Sequence, residues 1–224
     1  MNFLKYLYYM YYRPKIFFPK KSYSMFGEDL IINKIFKNKK KGIYVDIGCY
    51  HPIEGSNTYL LFKKGWGGIN IDLNKTSIDL FKVARSKDIN LNLAISNKSK
   101  KIKYYYRKNI NMLNTINLKF AKNNFLKGFK TSFIQSNTLN SVLKKTHFSK
   151  KIDFLNLDIE GNEINALKSL DLKKYSPKVI CIEMHKTSGR NKKNKLENSL
   201  YKFLRKKGYK YFWNKEFSYI FKKK

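Results

Sequence analysis

The acidic residues of this sequence are few and are placed in a recurring position. Only 15 of the 224 residues are Asp or Glu, against 48 Lys and Arg. In an open α/β sheet, the carboxyl ends of the parallel strands form the edge at which ligands bind. Five acids fall at or just past the end of a short apolar run that is typical of a strand: Asp46, Asp72, Asp158, Glu160 and Glu183. These acids predict a ligand site at that edge.

The segment VDIGCYHP, Val45 to Pro52, carries the first of these acids and then a glycine. Gly48 would let the backbone approach a bound nucleoside closely. The remaining glycines of a dinucleotide fingerprint and the lysine of a phosphate-binding loop are missing. Asp72 ends the next strand, where a carboxylate can accept hydrogen bonds from both ribose hydroxyls. Together, Gly48 and Asp72 indicate a site for a nucleoside ligand that carries no phosphates.

A second acidic segment, FLNLDIEGNE, brings Asp158 and Glu160 to the same edge. Two carboxylates there could serve as a general base or hold a divalent metal by oxygen ligation. We predict no metal, because the sequence offers no convincing third ligand. His51 follows the first turn directly and His185 follows the strand ending in Glu183. Both are candidates for a base or an acceptor contact, although a lone histidine is more often structural.

Strands alternate with helices along most of the chain, which predicts a mainly parallel sheet with helices on both faces. We expect an added segment at 109–130 that covers the site, and a C-terminal antiparallel strand pair. The domain is expected to span 22–224, after a basic and aromatic arm at 1–21. The main predicted elements are strands at 43–47, 67–72, 89–95, 152–158 and 178–184, and helices at 26–36, 57–64, 77–85, 138–145, 162–170 and 191–207.

The formal net charge of +33 allows two interpretations. It favours an anionic partner such as nucleic acid, an acidic membrane or an acidic glycan. Lys, Asn, Ile, Tyr and Phe are however all abundant together, and Lys is spread along the chain, which favours codon bias and a solvated surface. The N-terminal arm either lies on an anionic membrane or packs as a helix on the domain or a second subunit. Two distant cysteines and no membrane-spanning apolar run fit a reduced, cytoplasmic compartment.

Five blocks, in order, resemble the FkbM-type methyltransferases. They are SYSMFGEDLII, the run from Gly42 to Asn74, RSKDINLNLAIS, IDFLNLDIEGNE and SPKVICIE. The sequence departs from the family at Met25, where the family commonly has Gln. The resemblance implies a Rossmann-like class I methyltransferase fold, S-adenosylmethionine as the methyl donor, and O-methylation of a sugar, polyketide or related hydroxyl, as in polysaccharide biosynthesis.

Under this resemblance the candidate residues divide into two sets. The donor-binding set is Asp46, Gly48, Asp72 and Asn74, and the acceptor-side catalytic set is Asp158, Glu160 and His51. Glu28 and Glu183 are second-line candidates. The mechanism expected is in-line displacement at the methyl carbon, for which the protein aligns the acceptor oxygen and removes a proton.

Two rival functions stay open. An RNA ribose methyltransferase would explain the charge, whereas the amino- and cytosine-methylating types are disfavoured because their Pro-Pro-aromatic and Pro-Cys motifs are missing. The other rival is a basic binding module without catalysis. Retention of Asp46, Gly48, Asp72 and Asp158 argues against it.

Overall fold

The computed structural model describes residues 3–11, 21–108, 110–148, 151–184 and 199–224. Ten strands and eight helices lie in these ranges. The helices are α1 (Phe3–Tyr11), α2 (Glu28–Ile35), α3 (Tyr59–Lys63), α4 (Lys75–Ala84), α5 (Leu118–Asn124), α6 (Leu139–Lys145), α7 (Glu163–Lys168) and α8 (Ser199–Lys206). The strands are β1 (Ile43–Ile47), β2 (Gly67–Asp72), β3 (Ile89–Asn92), β4 (Ala94–Ile95), β5 (Lys100–Tyr106), β6 (Lys130–Asn137), β7 (Phe154–Leu157), β8 (Val179–Glu183), β9 (Tyr209–Lys215) and β10 (Ser218–Lys223).

Seven strands form the main sheet in the order β3-β2-β1-β7-β8-β10-β9. The first five are parallel to one another, and β10 runs antiparallel to both β8 and β9. The chain therefore builds outward from β1 in one direction and then restarts with β7 on its other side. Such a reversal leaves a crevice at the carboxyl ends of the two central strands. The mixed α/β fold with a mostly parallel sheet agrees with the sequence prediction.

The central strands β1, β7 and β8 are buried on both faces, as parallel strands covered by helices are. Because side chains alternate along a strand, Val45 and Ile47 of β1 pack into one core and Tyr44 packs into the other. The first core contains residues of α6, α7 and α8, and the second contains residues of α2 and α3. Asp46 lies between Val45 and Ile47 in β1, so its side chain is on the opposite face, together with Tyr44.

The predicted strand at 89–95 is wrong as one element. β3 pairs with β2 in the main sheet, whereas β4 pairs with β6 in a separate three-stranded sheet of order β4-β6-β5. Leu93 separates the two strands. Strand β6 was also missed, because the polar run Lys130–Asn137 lacks a clear apolar alternation. The predicted helix at 191–207 is described only over α8, since 191–198 lie outside the described residues.

The other five helix predictions agree with the structure to within a few residues. Thr138 caps α6 by accepting a hydrogen bond from the Ser141 amide at 3.1 Å, as its residue type favours. The segment predicted to cover the site contains α5, and residues 110–117 before it lie over the crevice. We call residues 110–117 the covering segment. In the described parts of the chain, every helix is too short or too polar to cross a membrane.

Candidate functional site

The crevice between β1 and β7 brings together two of the sequence motifs. The Asp158 amide donates to the Ile47 carbonyl at 3.0 Å, and the Gly48 amide donates to the Ile71 carbonyl at 2.9 Å. These backbone bonds continue the sheet ladder past the last strand residues and set the two turns side by side. The candidate residues Gly48, Asp72 and Asp158 all line a narrow cleft at this point.

Gly48 is required at this position for two independent reasons. Its φ angle is +79°, in the region that side-chain-bearing residues rarely adopt. A Cβ atom added there would lie 1.7 Å from the Asp158 carbonyl oxygen. Any larger residue would therefore push the two turns apart, so the glycine both shapes the turn and permits close approach of the second motif.

Asp72 lies at the rim of the cleft with its carboxylate already oriented. Its Oδ2 accepts from the Tyr50 amide at 2.9 Å and its Oδ1 accepts from the Asn74 amide at 2.7 Å. Burial raises the pKa of Asp72 to about 6, although both backbone hydrogen bonds favour the charged form. Each oxygen keeps a further lone pair, so the carboxylate can accept two hydroxyl donors in a fixed geometry.

The cleft itself is narrow, with about 30 Å³ of room. A single buried water needs roughly 10–15 Å³, so the space holds one or two waters. The covering segment forms part of its wall through Asn111, Met112, Asn114 and Ile116. This segment is fastened to the second motif, because the Thr115 hydroxyl donates to the Glu160 carbonyl at 2.7 Å. The cleft in this conformation is therefore smaller than a nucleoside.

A second, larger cavity of about 580 Å³ adjoins the cleft. Asp158, Asn111 and Met112 line both spaces, so the cleft and the large cavity meet at Asp158. The walls of the large cavity combine acids with aromatic and apolar side chains. They include Glu28, Asp158, Glu160, Glu183, Tyr50, Phe26, Phe120 and Phe217, together with Lys108.

Asp158, Glu160 and Glu183 form a compact acidic cluster within this cavity. One carboxylate oxygen from each lies within 4.8 Å of the others. Burial, followed by the charges of Glu183 and Glu160, holds the pKa of Asp158 well above its usual range. A hydrogen bond between the Asp158 and Glu183 carboxyls adds to the shift. Glu183 is a third carboxylate beside Asp158 and Glu160, so the three side chains could together hold a cation.

Asp46, which was predicted to bind the methyl donor, lies beneath the cleft. Both of its carboxylate oxygens accept hydrogen bonds from neighbouring side chains. Its Oδ2 accepts from the Thr58 hydroxyl at 2.7 Å, and its Oδ1 accepts from the Asn156 amide at 2.9 Å. Asn156 in turn accepts from Asn57 at 3.0 Å, and Asn57 lines the large cavity. Burial raises the pKa of Asp46, which these two hydrogen bonds oppose. Asp46 thus acts on the site through the residues that it holds.

Asn74 is used as the N-cap of α4. Its Oδ1 accepts from the amides of Thr76 at 2.8 Å and Ser77 at 3.3 Å. This is the side-chain geometry that begins a helix. The contribution of Asn74 to the cleft is its backbone amide, which fixes the Asp72 carboxylate.

His51 is buried and has both ring nitrogens engaged in local structure. Its Nδ1 accepts from the amides of Ile53 at 3.2 Å and Glu54 at 3.0 Å. The proton therefore lies on Nε2, which donates to the Tyr9 carbonyl of α1 at 3.3 Å. The histidine closes the turn after Gly48 and ties the N-terminal helix to the domain. The other candidate histidine, His185, lies outside the described residues.

Arg85 is a buried cation that the sequence reasoning missed. The side chain is 1% exposed and lies 4.8 Å from the Phe81 ring centroid. Its guanidinium donates to the Thr58 hydroxyl at 2.8 Å, to the Ser56 hydroxyl at 3.0 Å and to the Pro52 carbonyl. It therefore joins α4 to the 52–58 loop, whose members Gly55 and Asn57 line the large cavity. Its place in the RSKDIN block is the only sequence signal that could have indicated it.

The family model described as the methyltransferase FkbM domain matches residues 46–211, which include the β1 turn, the acidic cluster and the covering segment. No curated protein matches the chain.

Proposed function

The chain belongs to the FkbM methyltransferase domain family, and from this premise we propose that it is an S-adenosylmethionine-dependent O-methyltransferase acting on a sugar or glycan hydroxyl. The observation that carries the proposal is the meeting of the two spaces at Asp158. A methyl donor in the cleft and an acceptor in the large cavity would react across that residue.

The sheet supports the finer fold assignment that we propose, a Rossmann-like class I methyltransferase domain. Its order restarts on the far side of β1 with β7, which is the doubly wound pattern with a crevice at the switch point. The reversed strand β10 beside β8 fits the edge of such a sheet.

Two features of the cleft fit adenosylmethionine. Gly48 lines the cleft without a side chain and lets the Asp158 turn approach closely, so a ligand can lie against the backbone. Asp72 presents two pre-oriented carboxylate oxygens to a diol, as the ribose of a nucleoside requires. The covering segment must open for entry, and its closure afterwards would exclude water from the donor.

Catalysis in this proposal needs little from the protein beyond alignment and proton removal. When bound, adenosylmethionine supplies a methyl group that its sulfonium already makes electrophilic. Asp158 lies where the two spaces meet, and its raised pKa suits it to accept the proton of an acceptor hydroxyl. Glu183 and Glu160 lie within the same cluster, where their side chains can orient the acceptor.

The composition of the large cavity supports a neutral, polyhydroxylated acceptor. Four of the 15 acidic residues line it, namely Glu28, Asp158, Glu160 and Glu183. Carboxylates accept hydrogen bonds from hydroxyls, and flanking rings such as Tyr50 and Phe217 can pack on the apolar face of a sugar. The same four acids would repel an RNA backbone, so the alternative of RNA ribose methylation is disfavoured despite the overall positive charge.

The first test is calorimetric titration of adenosylmethionine into the protein at high salt, followed by transfer of labelled methyl groups to monosaccharides, nucleotide sugars and RNA. We expect saturable donor binding and labelling of a sugar hydroxyl. Labelling of RNA alone would favour the ribose methyltransferase. A folded protein that binds no donor would favour a non-catalytic basic module.

We further propose that α1 rests on an anionic membrane surface. Its outward residues Phe3, Leu4, Leu7, Tyr8 and Tyr11 follow helical spacing and are all exposed. Its inward residue Met10 is buried, and the contact between His51 and Tyr9 holds the helix on the domain. Apolar and aromatic side chains on one helix face, on a chain of net charge +33, suit the interface of an anionic bilayer.

A further inference from the structure

Asn114 carries a buried side-chain amide that the fold leaves unsatisfied. The residue is 6% exposed, and within the described part of the chain neither its Nδ2 nor its Oδ1 has a hydrogen-bond partner. Buried polar groups are almost always paired, because they otherwise lose their hydrogen bonds to water without replacement. An amide with both atoms unpaired therefore points to a missing partner.

A second asparagine in the same cleft shows what a satisfied amide looks like. Asn162 is buried to a similar degree, and its Nδ2 donates to the Ile95 carbonyl at 2.9 Å. Its Oδ1 accepts from the Asn165 amide at 2.8 Å. Both asparagines line the cleft. Only Asn114 of this pair keeps a donor and an acceptor available for a ligand.

The position of Asn114 identifies which part of a donor it would meet, on the premise of the proposed function. The large cavity adjoins the cleft through Asp158, Asn111 and Met112, and Asn114 does not line it, so the reacting methyl group lies at the Asp158 end. Asn114 also lines a small pocket of about 140 Å³ beside the N-terminus of α4, which it shares with Tyr104 and Tyr106. The base lies at the far end of an adenosyl donor from the acceptor, and Asp72, the candidate ribose contact, lines the cleft together with Asn114.

We propose that Asn114 recognises the adenine base of the donor. Its Oδ1 accepts a hydrogen bond from the exocyclic amine, and its Nδ2 donates to the neighbouring ring nitrogen. A planar carboxamide matches this donor–acceptor edge of adenine in both position and polarity. Leu73 and Leu93 in the cleft offer apolar contact to the ring. The small pocket supplies room for the base that the cleft lacks.

The test combines a shape-matched variant, a control variant and two ligands that differ by one amino group. The variants are Asn114→Leu and Asn162→Leu, and the ligands are S-adenosylhomocysteine and its 6-deamino analogue. Affinities are measured by calorimetry, and melting temperatures are measured without ligand. We expect the wild type to bind the deamino analogue about 10- to 100-fold more weakly than S-adenosylhomocysteine. Asn114→Leu should bind both ligands equally, at the weaker level.

The ligand-free proteins give an independent readout. Asn114→Leu removes an unsatisfied amide, so its melting temperature should stay level or rise by about 2–4 °C. Asn162→Leu removes a fully bonded amide and should melt lower. The inference is overturned if Asn114→Leu still distinguishes the two ligands as the wild type does, or if it melts as low as Asn162→Leu, which would indicate a trapped water as the partner. A wild type that binds neither ligand overturns the proposed function, and this inference with it.

Discussion

Replacing Asp72 with Asn tests whether this carboxylate binds the donor in its charged form. With a pKa of about 6, about 97% of the carboxylates are ionised at pH ~7.5 and about 9% at pH ~5. Ribose hydroxyls donate to the ionised form, so the wild-type affinity should fall about 10-fold between these two pH values. Asp72→Asn should bind weakly at both, because its amide leaves only one acceptor oxygen for the roles that two oxygens fill.

The assay is calorimetric titration of S-adenosylhomocysteine at several pH values and constant ionic strength. Asp79→Asn is the matched control, since it makes the same change of charge at an exposed Lys75 pair on α4. The control should keep the wild-type pH profile. A wild-type affinity that is flat across this range would refute the assigned pKa, and a 10-fold fall that persists in Asp72→Asn would assign the titration to another group.

The raised pKa of Asp72 also makes the folding stability depend on pH. This stability falls as the pH rises, whereas the expected donor affinity increases. A carboxyl whose pKa is raised on folding stabilises the native state below its unfolded pKa of about 3.9, and that contribution is lost as the pH rises through about 6. Between pH ~5 and pH ~7.5 the ligand-free wild type should therefore lose stability relative to Asp72→Asn, whose side-chain amide does not titrate. The residue would then exchange stability for ligand binding, as functional sites often do.

Three further predictions follow from the contacts around the site. Gly48→Ala should destabilise the protein by about 2 kcal/mol or more in denaturant titrations, because a left-handed φ and the contact with the Asp158 carbonyl both oppose a Cβ. The variant should also lose donor binding, and unchanged binding would contradict this prediction. Asp158→Asn should bind the donor within about 3-fold of wild type yet lose at least ~100-fold in methyl transfer; retained transfer would remove Asp158 as the base. Replacing Phe3 and Leu4 together with Ser should release the protein from anionic vesicles in co-sedimentation while leaving its melting temperature unchanged, and equal sedimentation would argue against α1 as the membrane contact.

Arg85 and Asp46 lie outside the walls of the two cavities. Both are bonded to the 52–58 loop, two of whose residues line the large cavity. Arg85 and Asp46 both bond to the Thr58 hydroxyl, so a buried cation and a buried anion are linked through one side chain. The positive charge of Arg85 lowers the pKa of Asp46 against the effect of burial. This network fixes the 52–58 loop, which lines the large cavity. Both of its charged residues, Arg85 and Asp46, are buried.

The sequence by itself determined where the candidate site lies in the fold. The apolar runs that end in Asp72 and Asp158 are local patterns, and parallel strands bring their carboxyl ends to one edge wherever they lie in the sheet. Gly48 could be identified for the same reason, because its demand for a left-handed backbone is a property of one residue in one turn. The alternation of strands and helices similarly determined a mostly parallel sheet.

The tertiary structure alone decided which of the candidate side chains face the candidate site and which are engaged in hydrogen bonds that stabilise the fold. Asp46 bonds Asn156, which is 110 residues away, and His51 bonds the carbonyl of Tyr9 in a helix that precedes the sheet. Asn114 shows the converse, since its type and neighbours in the chain give no sign that its amide is buried without a partner. Hydrogen-bond satisfaction depends on contacts between distant segments, whereas strand ends and backbone turns depend on neighbouring residues, and this difference separates what each level of description can predict.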